Sequence, residues 1–230
     1  MNTSTPIYTI IVAGGQGVRM GTALPKQFLE IDGKPILYYT LQAFIDALPE
    51  QQLVLVLPAH QLSYAQVALQ HLPDSVDITL VAGGETRFHS VQNGLKAVGG
   101  EGIVLVHDGV RPLVSPELIR RCCAQAQEKG SAVPAIPVAD SMRMVQGDSS
   151  EPVDRGALRI IQTPQTFRTD ILLPAFRQPW QEGFTDEATV VEAYGEKVFL
   201  VEGERTNIKI TTPEDLRIAE ALLKDRKERV

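Results

Sequence analysis

Cysteine is scarce in this 230-residue chain, and its two cysteines, Cys122 and Cys123, are neighbours. Both lie in a segment with the pattern of a helix, where adjacent side chains have poor geometry for a mutual disulfide bond. Two residues are also too few for a cysteine metal site. The sequence therefore argues against a disulfide framework and a zinc cluster, and we expect both side chains to pack as small hydrophobic groups.

Long apolar runs are absent as well. No stretch approaches the roughly 20 apolar residues of a membrane-spanning helix. The first residues, MNTSTPIYTIIVAGG, contain neither the basic segment nor the small-residue cleavage site of a secretory signal. We therefore expect a cytoplasmic protein that does not associate with a membrane.

Positive charge is in deficit, because 22 lysines and arginines stand against 28 aspartates and glutamates, for a net charge of −6. Such a chain lacks the excess of cations that displaces counterions from a nucleic acid, so we expect no nucleic-acid partner. A few focused cations could still bind a small anion. Hydrophobic residues make up 43% of the chain and charged residues 22%, as in ordinary globular proteins.

Short apolar runs rich in β-branched residues alternate with helical patterns along the chain. The runs suit strands that are buried on both faces, and the intervening segments have the length of crossover helices. The predicted strands are 7–13, 53–57, 78–82, 103–107, 132–138, 198–201 and 207–210, and the predicted helices are 36–48, 59–71, 90–98, 116–129, 169–178, 185–194 and one from 213. We therefore predict an α/β fold of three layers, in which a mostly parallel twisted sheet carries helices on both faces.

Segment 139–161 interrupts this alternation. Its centre is the turn-forming sequence QGDSS at 146–150, with strand-like runs at 142–145 and 153–161, which predicts an inserted β-hairpin. An insertion of about 20 residues with few large apolar side chains cannot form its own core. We therefore expect residues 1–230 to form a single domain from which 139–161 extends as an arm, with a second subunit as the arm's partner.

The sequence AGGQGVRMG at 13–21 directly follows the first predicted strand. Its glycines expose backbone N–H groups and permit positive φ, as a loop that wraps a phosphate or contacts a flat base requires. The spacing fits neither the dinucleotide motif GxGxxG nor the ATPase motif GxxxxGK[ST]. Arg19 and Lys26 flank the loop and favour a polyphosphate ligand. The alternatives are a tight turn without a ligand and two solvated cations.

Further polar residues follow other predicted strands, at the carboxyl edge where open α/β sheets bind ligands. Asp108 follows strand 103–107, and its carboxylate suits Mg²⁺ or a ribose hydroxyl, or simply caps a turn. Segment 83–90 carries small polar groups that can contact a base, although Ser90 could instead be a helix N-cap. Thr185 has the pattern of an N-cap that is followed by acidic residues in the first helical turn.

The sequence AGGQGVRMG followed by PKQF resembles the nucleotidyltransferases that join a sugar or polyol phosphate to a nucleoside triphosphate. Further segments narrow the resemblance: GGETRFHS at 83–90, VHDGVRP at 106–112, VDR at 153–155, QTPQ at 162–165, TDEA at 185–188 and NIK at 207–209. This ordered set, from residue 7 to the terminal helix, is similar to that of the 2-C-methyl-D-erythritol 4-phosphate cytidylyltransferases. Single motifs are weak, whereas the ordered set is specific.

The resemblance implies a Rossmann-like nucleotidyltransferase fold and a role for each matching residue. The implied nucleotide-binding residues are Ala13, Gly14, Gly15, Gly17, Gly84, Glu85, Arg87, Ser90 and Asp108. The implied catalytic cations are Arg19, Lys26 and Lys209, with Lys209 at the α-phosphate, and Asp108 is also a candidate contact for Mg²⁺. The implied acceptor-binding residues are Arg111, Ser141, Arg155, Thr163 and Thr185, of which Ser141 stands where the family usually has threonine.

By the same resemblance, the arm reaches across a two-fold axis and Arg155 completes the site of the neighbouring subunit, so we expect a homodimer. The implied reaction transfers a cytidylyl group from CTP to 2-C-methyl-D-erythritol 4-phosphate and releases pyrophosphate. This is a step of non-mevalonate isoprenoid biosynthesis, and the implied cofactor is Mg²⁺ or another divalent cation.

Three other interpretations are open. A ribitol-5-phosphate cytidylyltransferase shares the glycine loop, PKQF and HDxxRP, although 137–141 and VDRGALRIIQTPQTF look closer to the methylerythritol phosphate enzymes. A hexose-1-phosphate nucleotidyltransferase is disfavoured by the short chain and the hairpin. A nucleotide-binding regulator without turnover predicts erosion among Arg19, Lys26, Asp108 and Lys209, and all four are present.

Overall fold

The computed structural model describes residues 5–14 and 24–228. Its strands are β1 (Ile7–Val12), β2 (Glu30–Ile31), β3 (Lys34–Pro35), β4 (Gln52–Leu57), β5 (Ile78–Ala82), β6 (Ile103–Asp108), β7 (Ser131–Pro137), β8 (Met142–Gln146), β9 (Ser149–Val153), β10 (Arg159–Ile161), β11 (Gln165–Arg168) and β12 (Leu200–Glu202). Its helices are α1 (Ile36–Ala47), α2 (Ala65–Leu69), α3 (Arg87–Leu95), α4 (Pro116–Lys129), α5 (Thr169–Ala175), α6 (Glu187–Ala193) and α7 (Pro213–Glu228), with 3-10 helices at Lys26–Phe28, Ala59–Tyr64 and Arg155–Ala157.

Eight of these strands form one sheet in the order β10-β7-β11-β6-β1-β4-β5, with β12 also paired to β7. β1 lies parallel between β6 and β4, β5 is parallel to β4, and β11 runs antiparallel between β6 and β7. The chain passes from β1 to β4 and β5 on one side and then to β6 on the other. The strand order therefore reverses at β1, and ligands of open α/β sheets bind at such a reversal, beyond the carboxyl ends of the strands.

Side chains of the central strands alternate between two buried faces. In β1, Ile11 packs with Phe44 of α1 and Leu118 of α4, whereas Ile10 packs with Val91 of α3 and residues of α5 and α6. Burial on both faces explains the nearly continuous apolar runs of these strands. The prediction of three layers is confirmed.

The N-terminus of α3 differs from one of the sequence interpretations. Its N-cap is Thr86, whose Oγ1 accepts a hydrogen bond from the His89 N–H at 3.4 Å. Ser90 therefore lies inside the helix and is not its cap. Because Thr86 caps the helix, the Ser90 hydroxyl is free to bond to the loop before α3.

The N-terminus of α6 corrects another assignment. Asp186 is the N-cap, and its carboxylate and the Thr189 hydroxyl form a capping box with each other's backbone N–H. The interpretation of Thr185 as the N-cap is wrong by one residue, because the reciprocal pair requires this spacing. Such a cap contributes about 1 kcal/mol to helix stability.

Two predicted elements also differ from the structure. The helix predicted at 59–71 is a 3-10 helix followed by the short α2. The strand predicted at 207–210 is irregular, and its hydrogen bonds go to loops, as when the Ile210 N–H donates to the Val110 carbonyl at 2.9 Å. Both ends of this segment, Asn207 and Ile210, are buried and Lys209 between them is exposed, so its burial does not alternate as in a strand.

A hairpin is confirmed within the arm, but its second strand is β9 at 149–153 rather than the predicted 153–161, and the end of the predicted run forms β10, which pairs antiparallel with β7. β8 pairs antiparallel with β9, and the turn contains Gly147 at φ +58°. Apolar side chains on the arm and on the returning β10 are exposed, among them Met144 at 55%, Val145 at 72% and Ile160 at 49%. Within one chain this arm has no core of its own.

The two cysteines pack in α4 as predicted. Cys122 is buried and Cys123 partly buried, and both are free thiols. Burial raises the pKa of each thiol to about 12, so both are protonated at neutral pH. Among the described helices, none combines the length and apolar character needed to cross a membrane.

Candidate active site

A cleft of about 350 Å³ opens beyond the carboxyl ends of β1 and β6. Its lining comes from segments distant in sequence: Val12, Ala13, Gly14, Lys26, Gly84, Glu85, Thr86, Arg87, Ser90, Asp108, Val110 and Lys209. Every described member of the predicted nucleotide-binding set is present, together with Lys26 and Lys209. The structure thus brings these residues together at the point where the strand order reverses.

A larger hollow of about 470 Å³ lies at the opposite edge of the sheet, around Gly102 and Arg168. Arg168 there forms an exposed ion pair with Asp170 at 2.5 Å. An exposed ion pair of this kind contributes little to the stability of the protein. The chemistry-bearing residues are in the smaller cleft.

Asp108 is the centre of the charges in this cleft. Its carboxylate oxygens lie 3.4 Å from Arg87 Nη2, 3.3 Å from Arg111 Nε and 3.0 Å from Lys209 Nζ. Burial by itself raises the pKa of a carboxyl group, but the three cations hold the pKa of Asp108 well below its usual range. Asp108 is therefore ionised, and the cations around it outnumber it, which favours a polyanionic ligand.

Arg87 also forms a bidentate ion pair with Glu187, the first residue of α6. Arg87 Nη2 lies 3.1 Å from Glu187 Oε2, and Nη1 contacts Oε1. Burial alone lowers the pKa of Arg87, but Glu187 and Asp108 raise it above its ordinary value. Glu187 does not stand out in the sequence, because an acidic residue in a first helical turn is ordinary. The available signal was its place in the TDEA motif.

His107 fixes the backbone on either side of Asp108. Its Nε2 lies 3.2 Å from the carbonyl of Arg111, which only accepts, so Nε2 carries the proton. Nδ1 accepts from Thr163 Oγ1 at 2.9 Å, and Thr163 Oγ1 accepts from the Asp108 N–H at 3.1 Å. Complete burial lowers the pKa of His107 to about 3, so the imidazole is neutral. Thr163 therefore uses its hydroxyl to hold Asp108.

The loop before α3 depends on close backbone contacts. The Gly84 N–H donates to Ser90 Oγ at 3.1 Å, and Ser90 Oγ donates to the Thr86 carbonyl at 3.0 Å. A Cβ atom on Gly84 would lie 2.4 Å from His89 Cβ. A side chain at position 84 would therefore force the loop away from α3, and Ser90 shapes the loop.

Lys26 and Lys209 enter the cleft from two segments that touch each other. Lys26 Nζ donates to the Ile210 carbonyl at 3.2 Å, and Asn207 Nδ2 anchors the second segment to the Thr163 carbonyl at 2.8 Å. The Lys26 residue is 8% exposed, whereas the Lys209 side chain is 42% exposed. Lys209 therefore presents the more accessible of the two charges.

None of the five predicted acceptor-binding residues lines the described cleft, and Thr163 is buried beside His107. Arg111 is buried behind Asp108. Ser141 and Arg155 are exposed on the arm, and Thr185 is exposed just before α6. The remaining predicted residues, Gly15, Gly17 and Arg19, lie outside the described residues.

The cleft offers a divalent metal ion few protein ligands. The described part of the chain contains no group of three or more His, Cys, Asp or Glu side chains that could hold one. Asp108 offers one carboxylate, whose oxygens already contact cations. Mg²⁺ is commonly held by one or two carboxylates together with substrate phosphates. Asp108 therefore fits such an ion as a single protein ligand, and only where substrate phosphates supply the other ligands.

The chain is similar over nearly its full length to proteins of one family. The model of IspD, 2-C-methyl-D-erythritol 4-phosphate cytidylyltransferase, matches residues 7–225. The protein of that name from Bacteroides fragilis is 49% identical over 93% of this chain and 98% of its own length. The chain belongs to this family. It is therefore a cytidylyltransferase of isoprenoid biosynthesis, which places it among the nucleotidyltransferases.

Solved structures agree with this assignment. The crystal structure of 2-C-methyl-D-erythritol 4-phosphate cytidylyltransferase from Thermus thermophilus aligns with a TM-score of 0.77 at 36% identity, covering 95% of this chain and 99% of the other. The 4-diphosphocytidyl-2C-methyl-D-erythritol synthase from Anaerococcus prevotii aligns with a TM-score of 0.81 at 29% identity, covering 96% and 99%. The nucleotidyltransferase fold is confirmed, and these relatives give no support to the ribitol phosphate alternative.

Proposed function

We propose that the cleft beside Asp108 transfers a cytidylyl group from CTP to 2-C-methyl-D-erythritol 4-phosphate, with release of pyrophosphate. The observation that carries the proposal is the convergence of Lys26, Arg87 and Lys209 on one cleft at the switch point of the sheet. A net-negative chain that concentrates cations there favours a triphosphate ligand. We also propose that the reaction takes place in the cytoplasm.

The reaction is a substitution at phosphorus. The acceptor is a phosphate monoester, which is largely dianionic at neutral pH because its second pKa is about 6. Its oxygen attacks the α-phosphorus in line, the bond to the bridging oxygen of pyrophosphate breaks, and pyrophosphate leaves with that electron pair. No general base is needed, in agreement with the neutral, fully buried His107.

The chain then contributes position and positive charge. Lys209, whose ammonium is accessible and lies 3.0 Å from Asp108, neutralises charge at the α-phosphate. Lys26 and Arg19 hold the triphosphate with the backbone of the loop that contains Gly15 and Gly17. Mg²⁺, when bound, supplies further positive charge on the phosphate oxygens, and Asp108 is the residue that would hold it.

The base and ribose are assigned to the other side of the cleft. We assign the cytosine to the side of the cleft that Ala13, Gly14, Gly84 and Glu85 line, where Ser90 holds the loop of Gly84 in shape. Arg87 links the loop to Asp108, and we assign the ribose to Asp108.

The acceptor site is assigned to two groups of residues. Arg111 and Thr163 contact Asp108 directly and position it. Ser141 and Thr185 are exposed and available to the acceptor. Arg155 is exposed on the arm, and we assign it to the site of a second subunit. In this proposal residues 1–230 form one catalytic domain, and 139–161 is its dimerisation arm.

The reaction is tested by measuring pyrophosphate release with Mg²⁺ and pairs of substrates. We expect turnover with CTP and 2-C-methyl-D-erythritol 4-phosphate, and much less when UTP or ATP replaces CTP or when ribitol 5-phosphate replaces the acceptor. Faster turnover with ribitol 5-phosphate would contradict the acceptor assignment. Absence of pyrophosphate with every pair would favour a nucleotide-binding regulator.

The dimer is tested by complementation between two inactive variants. Arg155→Ala removes the residue lent to the neighbour, and Lys26→Ala removes a residue of the chain's own site. A mixed dimer then contains one intact site, so mixing equal amounts should restore roughly a quarter of the parent activity through random exchange of subunits in a two-fold dimer. No recovery after proven subunit exchange would show that Arg155 does not act across the interface.

A further inference from the structure

Gln27 is a fully buried amide that contacts the start of the glycine loop. Its Nε2 donates to the Ala13 carbonyl at 2.7 Å and to Gln61 Oε1 at 2.6 Å. Gln27 is 0% exposed and Gln61 is 3% exposed. Because the Ala13 carbonyl can only accept, the nitrogen of the Gln27 amide must face it, and this contact decides the orientation of the amide group.

The oxygen of the same amide accepts no hydrogen bond among the described residues. An unpaired buried oxygen destabilises a fold. A methionine of similar length would avoid this unpaired atom, but it could not donate to Ala13. The chemical advantage of glutamine here is therefore its NH₂ group, which bonds to the loop backbone.

Both backbone groups of Ala13 are held in place. Its N–H donates to the Val56 carbonyl at 2.9 Å, which continues the pairing of β1 with β4. Its carbonyl is held by Gln27. In a trans peptide the C=O and the following N–H point in opposite directions. The Gly14 N–H therefore points away from Gln27, and Gly14 is exposed and lines the cleft.

We infer that Gln27 is a positioning residue, which sets the Ala13–Gly14 peptide so that the Gly14 N–H donates to an oxygen of the bound nucleotide. This inference rests on the proposed function, because it specifies how the same cleft binds CTP. Gln27 touches neither substrate and acts only through the backbone. The acceptor oxygen belongs either to the base or to a phosphate, and both are hydrogen-bond acceptors of the same kind.

The inference is tested with four single variants, one double variant and isothermal calorimetry. Gln27→Met and Gln27→Glu both remove the donor at nearly constant size. Gly14→Pro removes the N–H itself at an exposed position. Gln61→Met is the matched control, because it disturbs the same buried cluster without contacting Ala13. Circular dichroism and thermal unfolding identify the variants that fold.

We expect Gln27→Met and Gly14→Pro each to weaken CTP binding roughly tenfold or more, as for loss of a hydrogen bond to a polar or charged acceptor. Gln61→Met should bind CTP nearly as the parent does. The double variant Gln27→Met/Gly14→Pro should bind no more weakly than Gly14→Pro alone, because both changes remove one contact. Fully additive losses, or equal losses in Gln61→Met, would overturn the inference in favour of a general structural role.

Two ligand fragments locate the acceptor oxygen. A loss shared by CTP and CMP, with pyrophosphate binding unchanged, assigns the contact to the cytidine end, whereas a loss shared by CTP and pyrophosphate assigns it to the phosphates. If the parent protein turns over CTP and Gln27→Met binds it equally well, the inference is wrong and the proposed function stands. If the parent neither binds nor turns over CTP, the proposed function fails with it.

Discussion

Replacement of Gly84 by alanine should impair nucleotide binding while leaving the fold nearly intact. The added Cβ would lie 2.4 Å from His89 Cβ, 3.1 Å from its carbonyl carbon and 3.3 Å from its Cα. These atoms belong to the backbone and first side-chain atom of α3, so no rotamer change relieves the contact. Carbon atoms prefer separations of about 3.5–4.0 Å, so the loop must move by roughly 1 Å.

The movement breaks or distorts the bond from the Gly84 N–H to Ser90 Oγ, which measures 3.1 Å. Forced overpacking costs about 1–3 kcal/mol. Because Gly84 is exposed, the loop can relax outward in the free protein. We expect the free energy of overpacking to appear instead when CTP binding requires the original loop position. That range corresponds to a CTP dissociation constant higher by roughly 5- to 150-fold.

Calorimetric titration with CTP and thermal unfolding measure the two effects separately. Gly99→Ala is the matched control, because its new Cβ would meet only Tyr8 Oη, at 3.9 Å. The parent and Gly99→Ala should bind CTP equally well, and all three proteins should unfold at similar temperatures. CTP binding by Gly84→Ala at parental affinity would refute the reasoning that this loop is held against α3 in the nucleotide-bound state.

Three further predictions concern charge. Lys26→Ala should lower kcat by about 100-fold or more, as for loss of a preorganised electrostatic group, while Lys34→Ala, outside the cleft, should not; turnover near the parent value would contradict the role of Lys26. Glu187→Ala should destabilise the protein by about 3 kcal/mol in urea unfolding, because it leaves the partly buried Arg87 without its bidentate partner, and a change below 1 kcal/mol would contradict this. His107 has a pKa of about 3 in the fold against about 6.5 in the unfolded chain, so the folded protein binds fewer protons. Its contribution to the free energy of unfolding is therefore complete above pH 6.5, and about 2 kcal/mol of it is lost between pH 7 and pH 5. A His107→Gln variant that loses the same stability over this pH range would disprove the assignment.

The location of the site could be predicted from the sequence because it depends on local patterns. Alternating strands and helices imply parallel strands whose carboxyl ends share one edge. Ala13 and Asp108, each placed at the end of a predicted strand, therefore meet in the cleft, as the structure confirms. The hairpin was equally predictable from its turn sequence at 146–150.

The supporting contacts could not be predicted, because they join segments that are distant in sequence. Glu187 lies 100 residues from Arg87, and Thr163 lies 56 residues from His107. No local pattern distinguishes Glu187 from an ordinary first-turn acid or Gln27 from a surface glutamine. The error of one residue at Thr185 has a different cause, since Thr and Asp are both good N-caps and the choice depends on the reciprocal bond to a side chain three residues later.

The most direct test of the account is a crystal structure of the protein with CTP and Mg²⁺. We expect the nucleotide in the cleft at the carboxyl ends of β1 and β6, with its phosphates at Lys26 and Lys209 and its base between Gly14 and the loop of Gly84. CTP bound at the opposite edge of the sheet, around Gly102 and Arg168, would contradict the central claim that the cations around Asp108 form the nucleotide site.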